Sequence, residues 1–196
     1  MAKSDPSASK KQRKQTIRWV ITVFFVTILI SGLISLISEE IMSGSGIVTA
    51  FIILLGIVMV GIVFDIIGVA VTSADETPFH SMAARKVPGA QESLRLLRKA
   101  ERVSSICNDV VGDICGVVSG SASATIAMQI IGSFEFTRIE VVSLLMSALV
   151  AGLTVGGKAI GKTFAVNSST AIVYAVGRVI YWLRHLPDLL RRKKRK

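Results

Sequence analysis

The apolar residues of the chain fall in long blocks instead of scattered amphipathic positions, and these blocks set the expected elements. Uncharged runs cover 19–37, 47–71 with only Asp65 inside, 114–134 and 141–157. Each approaches the roughly 20 residues that a helix needs to cross a bilayer core. The pattern predicts an all-α polytopic membrane protein with four spanning helices plus juxtamembrane amphipathic helices, because an isolated apolar segment in lipid must satisfy its own backbone. The polar stretch that follows the second run divides at Pro88 and Gly89 into two short helices, a hairpin over 77–104. In the second of these, Leu96, Leu97, Ala100 and Val103 recur at helical spacing while Arg95, Arg98, Lys99 and Arg102 point elsewhere, so this helix is expected along the membrane surface. A further amphipathic helix is expected over 168–186, with Tyr181 and Trp182 at the interface and Pro187 as its limit.

Residues 1–16 are rich in Lys, Ser and Gln, contain Pro6, and are expected to form a disordered arm. The run at 17–38 follows basic residues as a signal peptide would, but no small-residue cleavage pattern ends it, so it is read as a retained helix. Residues 187–196 form a basic tail.

Charge changes the picture in one respect. The 196 residues carry a formal net charge of +10, which in a soluble protein would point to nucleic acid. Here the cations are segregated: Lys3 to Arg18 precede the first run, Arg85 to Arg102 lie between the second and third, and Arg178, Arg184 and residues 191–196 follow the fourth. The intervening short segments carry Glu39, Glu40, Glu135 and Glu140, with Arg138 the exception. The bias predicts a multi-pass protein of the cell membrane with both termini cytoplasmic and the basic ends against anionic lipid, and it argues against nucleic-acid binding.

Within the runs, Asp65, Asp109, Asp113 and Lys158 need explanation, because a charge at membrane depth costs a few kcal/mol or more unless paired or wetted. Counting residues from the expected helix ends places Asp75, Asp113 and Lys158 at one level near the cytoplasmic mouth, and Asp65 about 15 Å deeper. Carboxylates, hydroxyls and glycines at one depth fit a hard-cation site, since Mg²⁺ and similar ions prefer oxygen ligands. They fit equally a set of salt bridges in which Lys158 satisfies Asp113 or Asp75. Gly112, Gly116 and Gly120 recur every fourth residue and would let a neighbouring helix approach. Cys107 and Cys115 are about 12 Å apart along one helix, too far for a bridge. His80 and His185 are too remote in topology to share a zinc ion, and Ser73 with Glu76 reads as a capping box. No phosphate-cradling loop or nucleophile elbow is present, and the pair Phe64-Asp65 and Gly112-Asp113 lacks the remaining elements of an intramembrane aspartyl protease; no catalytic residue is assigned and no enzyme is expected.

Residues 46–186 resemble the transmembrane domain of the CorB/CorC and cyclin M family of magnesium and cobalt transporters. The resemblance is carried by Ser73, Ala74, Asp75 and Glu76 at the end of the second run, by the Leu-rich hairpin ending at Arg102, by Gly112 and Asp113, and by Gly157, Lys158, Ala159, Ile160, Gly161 and Lys162. It implies three spanning helices with a hairpin and an amphipathic belt helix, a homodimer, and a cytoplasm-facing site in which Ser73, Asp75, Gly112 and Asp113 would take Mg²⁺ or another divalent cation. Lys158 stands where the family has a glutamate. This departure leaves two implied functions: divalent-cation transport or binding, or a non-transporting scaffold in which the Lys158 ammonium replaces the cation. The helix at 17–38 is an addition to the family pattern, and the family's nucleotide-binding regulatory domains have no counterpart in these residues.

Overall fold

The computed structural model describes residues 6–134 and 139–193, and these are helical with no strand among them. Helix α1 (Pro6–Ser43) contains the first apolar span, Ile17–Met42; α2 (Ile47–Ser73) is the second. The break between them is a tight turn, in which the Ser45 hydroxyl donates to the Ile41 carbonyl at 2.6 Å and Gly46 stands extended before α2. Three short helices follow: α3 (Thr77–Ala84), α4 (Ala90–Leu97) and α5 (Ala100–Ser105). A π-helical segment, Ile106–Gly112, joins α5 to α6 (Asp113–Phe134), giving a third span over Ala100–Ser133. Helix α7 (Ile139–Asn167) holds the fourth span, and α8 (Ser169–Lys193) completes the fold.

The expected division into four apolar spans therefore holds, with three differences in element ends. The arm expected to be disordered is helical from Pro6, because proline suits a first helical turn and the Lys, Gln and Arg residues after it are good helix formers. Helix α7 does not end near Gly157 but runs to Asn167, since a helix held by tertiary packing tolerates Gly156 and Gly157. Helix α8 likewise continues past Pro187, into a Leu- and Arg-rich sequence that favours helix.

Helix α2 is the hub, packing on α6, α7, α5, the π segment and α8. Away from the hairpin, Met42, Ala50, Leu54, Val58, Ala122, Ile126 and Val150 form one core. A second core joins the other end of α2 to the hairpin and α8 through Ala70, Val71, Phe79, Leu94, Leu97, Ala165 and Val173. Leu97, expected against the membrane surface, is thus buried in protein, and Val103 belongs to the third span. Helix α1 rests mainly on α6 and is tied at its end by the Gln129 side-chain amide, which donates to the Met42 carbonyl at 2.7 Å. Phe24, Phe25 and Leu29 of α1 stay exposed, as apolar side chains facing lipid would be.

The hairpin closes with a Schellman motif: Val87 N–H donates to the Met82 carbonyl and Lys86 N–H to Ala83, each at 3.0 Å, with Lys86 at φ 56°. Gly89, at φ 90°, then turns the chain into α4. Its α-carbon faces the α8 backbone so closely that a Cβ there would lie 2.7 Å from Arg178 Cα. Ser93, fully buried, donates to the Val173 carbonyl at 3.1 Å or to the Gly89 carbonyl at 3.0 Å, and a Cβ on Gly177 would overlap its hydroxyl. The hairpin and α8 are thereby locked together.

Candidate functional site

Two charged side chains meet inside the bundle. Lys158 Nζ of α7 lies 3.9 Å from Asp65 Oδ1 of α2, with the lysine side chain 24% exposed and the aspartate 6%. The approach is made possible by glycines beside the lysine. A Cβ at Gly157 would overlap the Ile62 side chain, and one at Gly161 would lie 2.8 Å from Ile66 Cγ1, so the absence of side chains lets α7 settle onto α2 around Asp65. At 3.9 Å the pair is electrostatic and longer than a hydrogen bond.

The third wall is the π segment. Here the helix widens and changes phase relative to α6, a geometry that recurs at functional sites. Asn108 lies against α2 where Gly68 leaves room; a Cβ on Gly68 would overlap the Asn108 amide. The Asn108 Nδ2 donates to Ser104 Oγ at 3.2 Å. Gly112 closes the wall beside Lys158: a Cβ there would stand 3.4 Å from its Nζ. Asp65 Oδ2 and Asn108 Oδ1 are both buried without a hydrogen-bond partner. Since Asp65 and Gly68 are three apart on α2, the two orphan oxygens border the same helix face about one turn apart.

The residues anticipated from sequence are divided by this arrangement. Gly112 and Lys158 belong to the site. Asp113 is exposed at the start of α6, and Ser73 is exposed at the end of α2. Asp75 is exposed and caps α3, its carboxylate accepting from Thr77 N–H at 3.1 Å and from the Thr77 hydroxyl at 3.0 Å. These hydrogen bonds from Thr77, the backbone one foremost, hold its pKa below the ordinary 3.8. The cap is made by Asp75 itself, not by a Ser73–Glu76 box. Lys158 makes its ion pair with Asp65 instead of Asp75 or Asp113. The reason is helix length: Lys158 is nine residues from the end of α7 and Asp65 eight from the end of α2, so they lie at one depth, about 12–14 Å from those ends. Asp109 is turned outward, accepting from the Ser105 hydroxyl at 2.8 Å.

Asn108 was missed from sequence because an asparagine next to Asp109 reads as a polar helix entry. The useful signal was on α2, where Gly61, Asp65 and Gly68 share a face; all three are buried, and Gly61 accommodates Cys115 as Gly68 accommodates Asn108. Among the described residues no group of three or more His, Cys, Asp or Glu side chains is placed to hold a metal ion. Any ion at Asp65 would therefore complete its shell with amide, hydroxyl or water oxygens.

The four long apolar helices define a multi-pass all-α membrane protein. Compared with protein-family models, curated proteins and solved structures, the chain matches none.

Proposed function

We propose that this is a membrane protein of the cation-transporter type, in which a hard divalent cation such as Mg²⁺ or Co²⁺ binds at Asp65 and Asn108 and Lys158 holds the Asp65 carboxylate when no ion is there. The observation that carries the reading is the pair of buried, unpartnered oxygens, Asp65 Oδ2 and Asn108 Oδ1. Natural proteins rarely leave such groups unsatisfied, because each costs about 1–3 kcal/mol. Oxygen donors of this kind suit a hard cation that retains several waters. Lys158 is the more exposed member of its pair and sits beyond hydrogen-bond distance, so its flexible stem can withdraw as an ion enters. The resemblance to the CorB/CorC and cyclin M transporters supports the same ligand class, with the acidic group supplied by Asp65. The distribution of Lys and Arg supports placing both termini and the hairpin on the cytoplasmic side of the cell membrane, which a reporter fused to the C-terminus would test.

The deciding experiment is Mg²⁺ and Co²⁺ uptake into proteoliposomes by the parent and by Asp65→Asn, with melting temperature followed in parallel. The parent should take up the ion and be stabilised by it, and Asp65→Asn should do neither. No uptake and no metal-dependent stabilisation in the parent would overturn the reading.

The ion pair itself favours a second reading, a non-transporting scaffold in which the Lys158 ammonium permanently occupies the place of the cation. That protein would show no uptake, and removing Lys158 would lower its stability without creating any.

A further inference from the structure

A cation entering the Asp65 site meets one carboxylate. A divalent ion held by Asp65 and the neutral Asn108 amide leaves positive charge inside the bundle, and the Lys158 ammonium, 3.9 Å from Asp65 Oδ1, adds to it. Charge balance asks for a second carboxylate where the amide now lies. The next residue in the chain carries one. Asp109 and Asn108 have side chains of the same shape, so the recess that Gly68 leaves for the amide would also take the carboxylate.

The residues around the π segment come in like pairs: Ser104 and Ser105, Asn108 and Asp109, Val110 and Val111. Asn108, against α2, donates from Nδ2 to Ser104 Oγ at 3.2 Å, and on the outer side the Ser105 hydroxyl donates to Asp109 at 2.8 Å. A π turn holds about one residue more than an α turn, so Ile106–Gly112 stores a residue relative to a continuous α-helix. When such a segment winds into α form with α6 held in place, each residue before it turns toward the place of its predecessor. Asp109 thus comes round toward the place of Asn108, and Ser105 toward that of Ser104. The stored residue can be taken up at Lys99, a non-helical junction between α4 and α5 with φ −121° and ψ 28°. The main cost falls at Cys107, whose buried position would receive the Asn108 amide, while Cys107 turns toward the exposed position of Ile106. That cost keeps the π register the resting one.

We propose, on the cation reading of the Asp65 site, that a bound divalent ion draws this segment from π to α register and is then held by Asp65 and Asp109. Asn108 serves the entering ion and Asp109 the bound one. Two carboxylates balance the charge of the ion, so the Lys158 ammonium is released to withdraw on its flexible stem. Without an ion the shift is opposed, because Asp109 beside Asp65 would put two like charges together. A monovalent cation satisfies Asp65 alone and gives no drive for the shift, which makes the segment selective for divalent charge.

The test uses the full chain in detergent and follows maleimide labelling of Cys107, read by peptide mass, beside the Mg²⁺-dependent rise in melting temperature. Because Cys107 is buried and Ile106 exposed, Mg²⁺ should speed the labelling saturably, with the same midpoint as the thermal shift. K⁺ at equal ionic strength should not. Asp109→Asn should raise the Mg²⁺ midpoint at least about tenfold and abolish the change in labelling, since ligand charge sets the affinity of such sites. Asp113→Asn, which removes an exposed carboxylate one turn further on, should respond as the parent does. Thermal stabilisation with labelling of Cys107 unchanged or slowed would overturn the register shift and leave the Asp65 reading standing. An Asp109→Asn variant that responds as the parent, or equal weakening in Asp109→Asn and Asp113→Asn, would overturn the role of Asp109. Faster labelling in K⁺ would overturn the divalent selectivity. A parent that Mg²⁺ neither stabilises nor makes more reactive would overturn the Asp65 reading and, with it, the shift.

Discussion

Lys158 on α7 and Asp65 on α2 face each other at 3.9 Å within the bundle, each about the same distance from the hairpin-side end of its own helix. Removing the lysine strands a carboxylate that has little access to water. Lys158→Met should therefore cost about 3 kcal/mol, the lower end of the range for breaking a buried pair because the lysine is partly exposed. Adding Asp65→Asn to Lys158→Met should recover most of the loss, as both charges are then gone. Unfolding of the single and double variants in detergent checks this; a fully stable Lys158→Met would show that the pair contributes nothing.

Gly68 on α2 and Gly116 on α6 differ in what they touch. Gly68→Ala drives a methyl into the Asn108 amide and should destabilise by about 1–3 kcal/mol, the range for overpacking. Gly116 has nothing within 4 Å of a built Cβ, so Gly116→Ala should stabilise by up to about 1 kcal/mol through helix propensity. The two variants, compared in one detergent, should move in opposite directions. Equal losses would mean that the Gly68–Asn108 contact is not the determining one.

Asp75 gives the chain a pH dependence outside the bundle. Its folded pKa lies below the ordinary 3.8, so the unfolded chain binds a proton more readily. The cap's stabilisation is present above that ordinary value and is lost as pH falls through the lower folded one. The difference in melting temperature between the parent and Asp75→Ala should be constant from neutral pH down to weakly acid conditions and shrink below about 3.8. A difference that persists unchanged into strong acid would remove the cap from the account.

Gly177→Ala probes the hairpin's attachment. Its methyl would overlap the Ser93 hydroxyl and lie 2.7 Å from the Gly89 carbonyl oxygen, forcing α8 away from α4 at a cost of about 1–3 kcal/mol. Trypsin should then cut faster at Lys86 and Arg95 than in the parent. An unchanged digestion rate would show that α8 does not secure the hairpin.

Much of the architecture is legible in the sequence, because long apolar runs and the break at Pro88-Gly89 are local properties. The candidate site was less legible. Counting depth from the end of the apolar run at Gly157 puts Lys158 level with Asp75, whereas the continuation of α7 to Asn167 puts it level with Asp65. Asp75 looked like a ligand because a carboxylate near a helix end suits either role, and the hydrogen bonds from Thr77 decide for the cap. Asn108 could not be found by periodicity, since the π segment alters the phase between α5 and α6 on which such counting relies.

Sequence by itself determined that four helices are long and apolar enough to cross a membrane, because hydrophobic length acts on each segment independently. It also identified Asp65, Asp109, Asp113 and Lys158 as charges needing a reason. Only the tertiary structure decided which of them meet. Partner choice depends on helix ends, on close approach at Gly157, Gly161 and Gly68, and on the π turn that sets Asn108 against α2. These are relations between segments distant in the chain, and no local pattern encodes them.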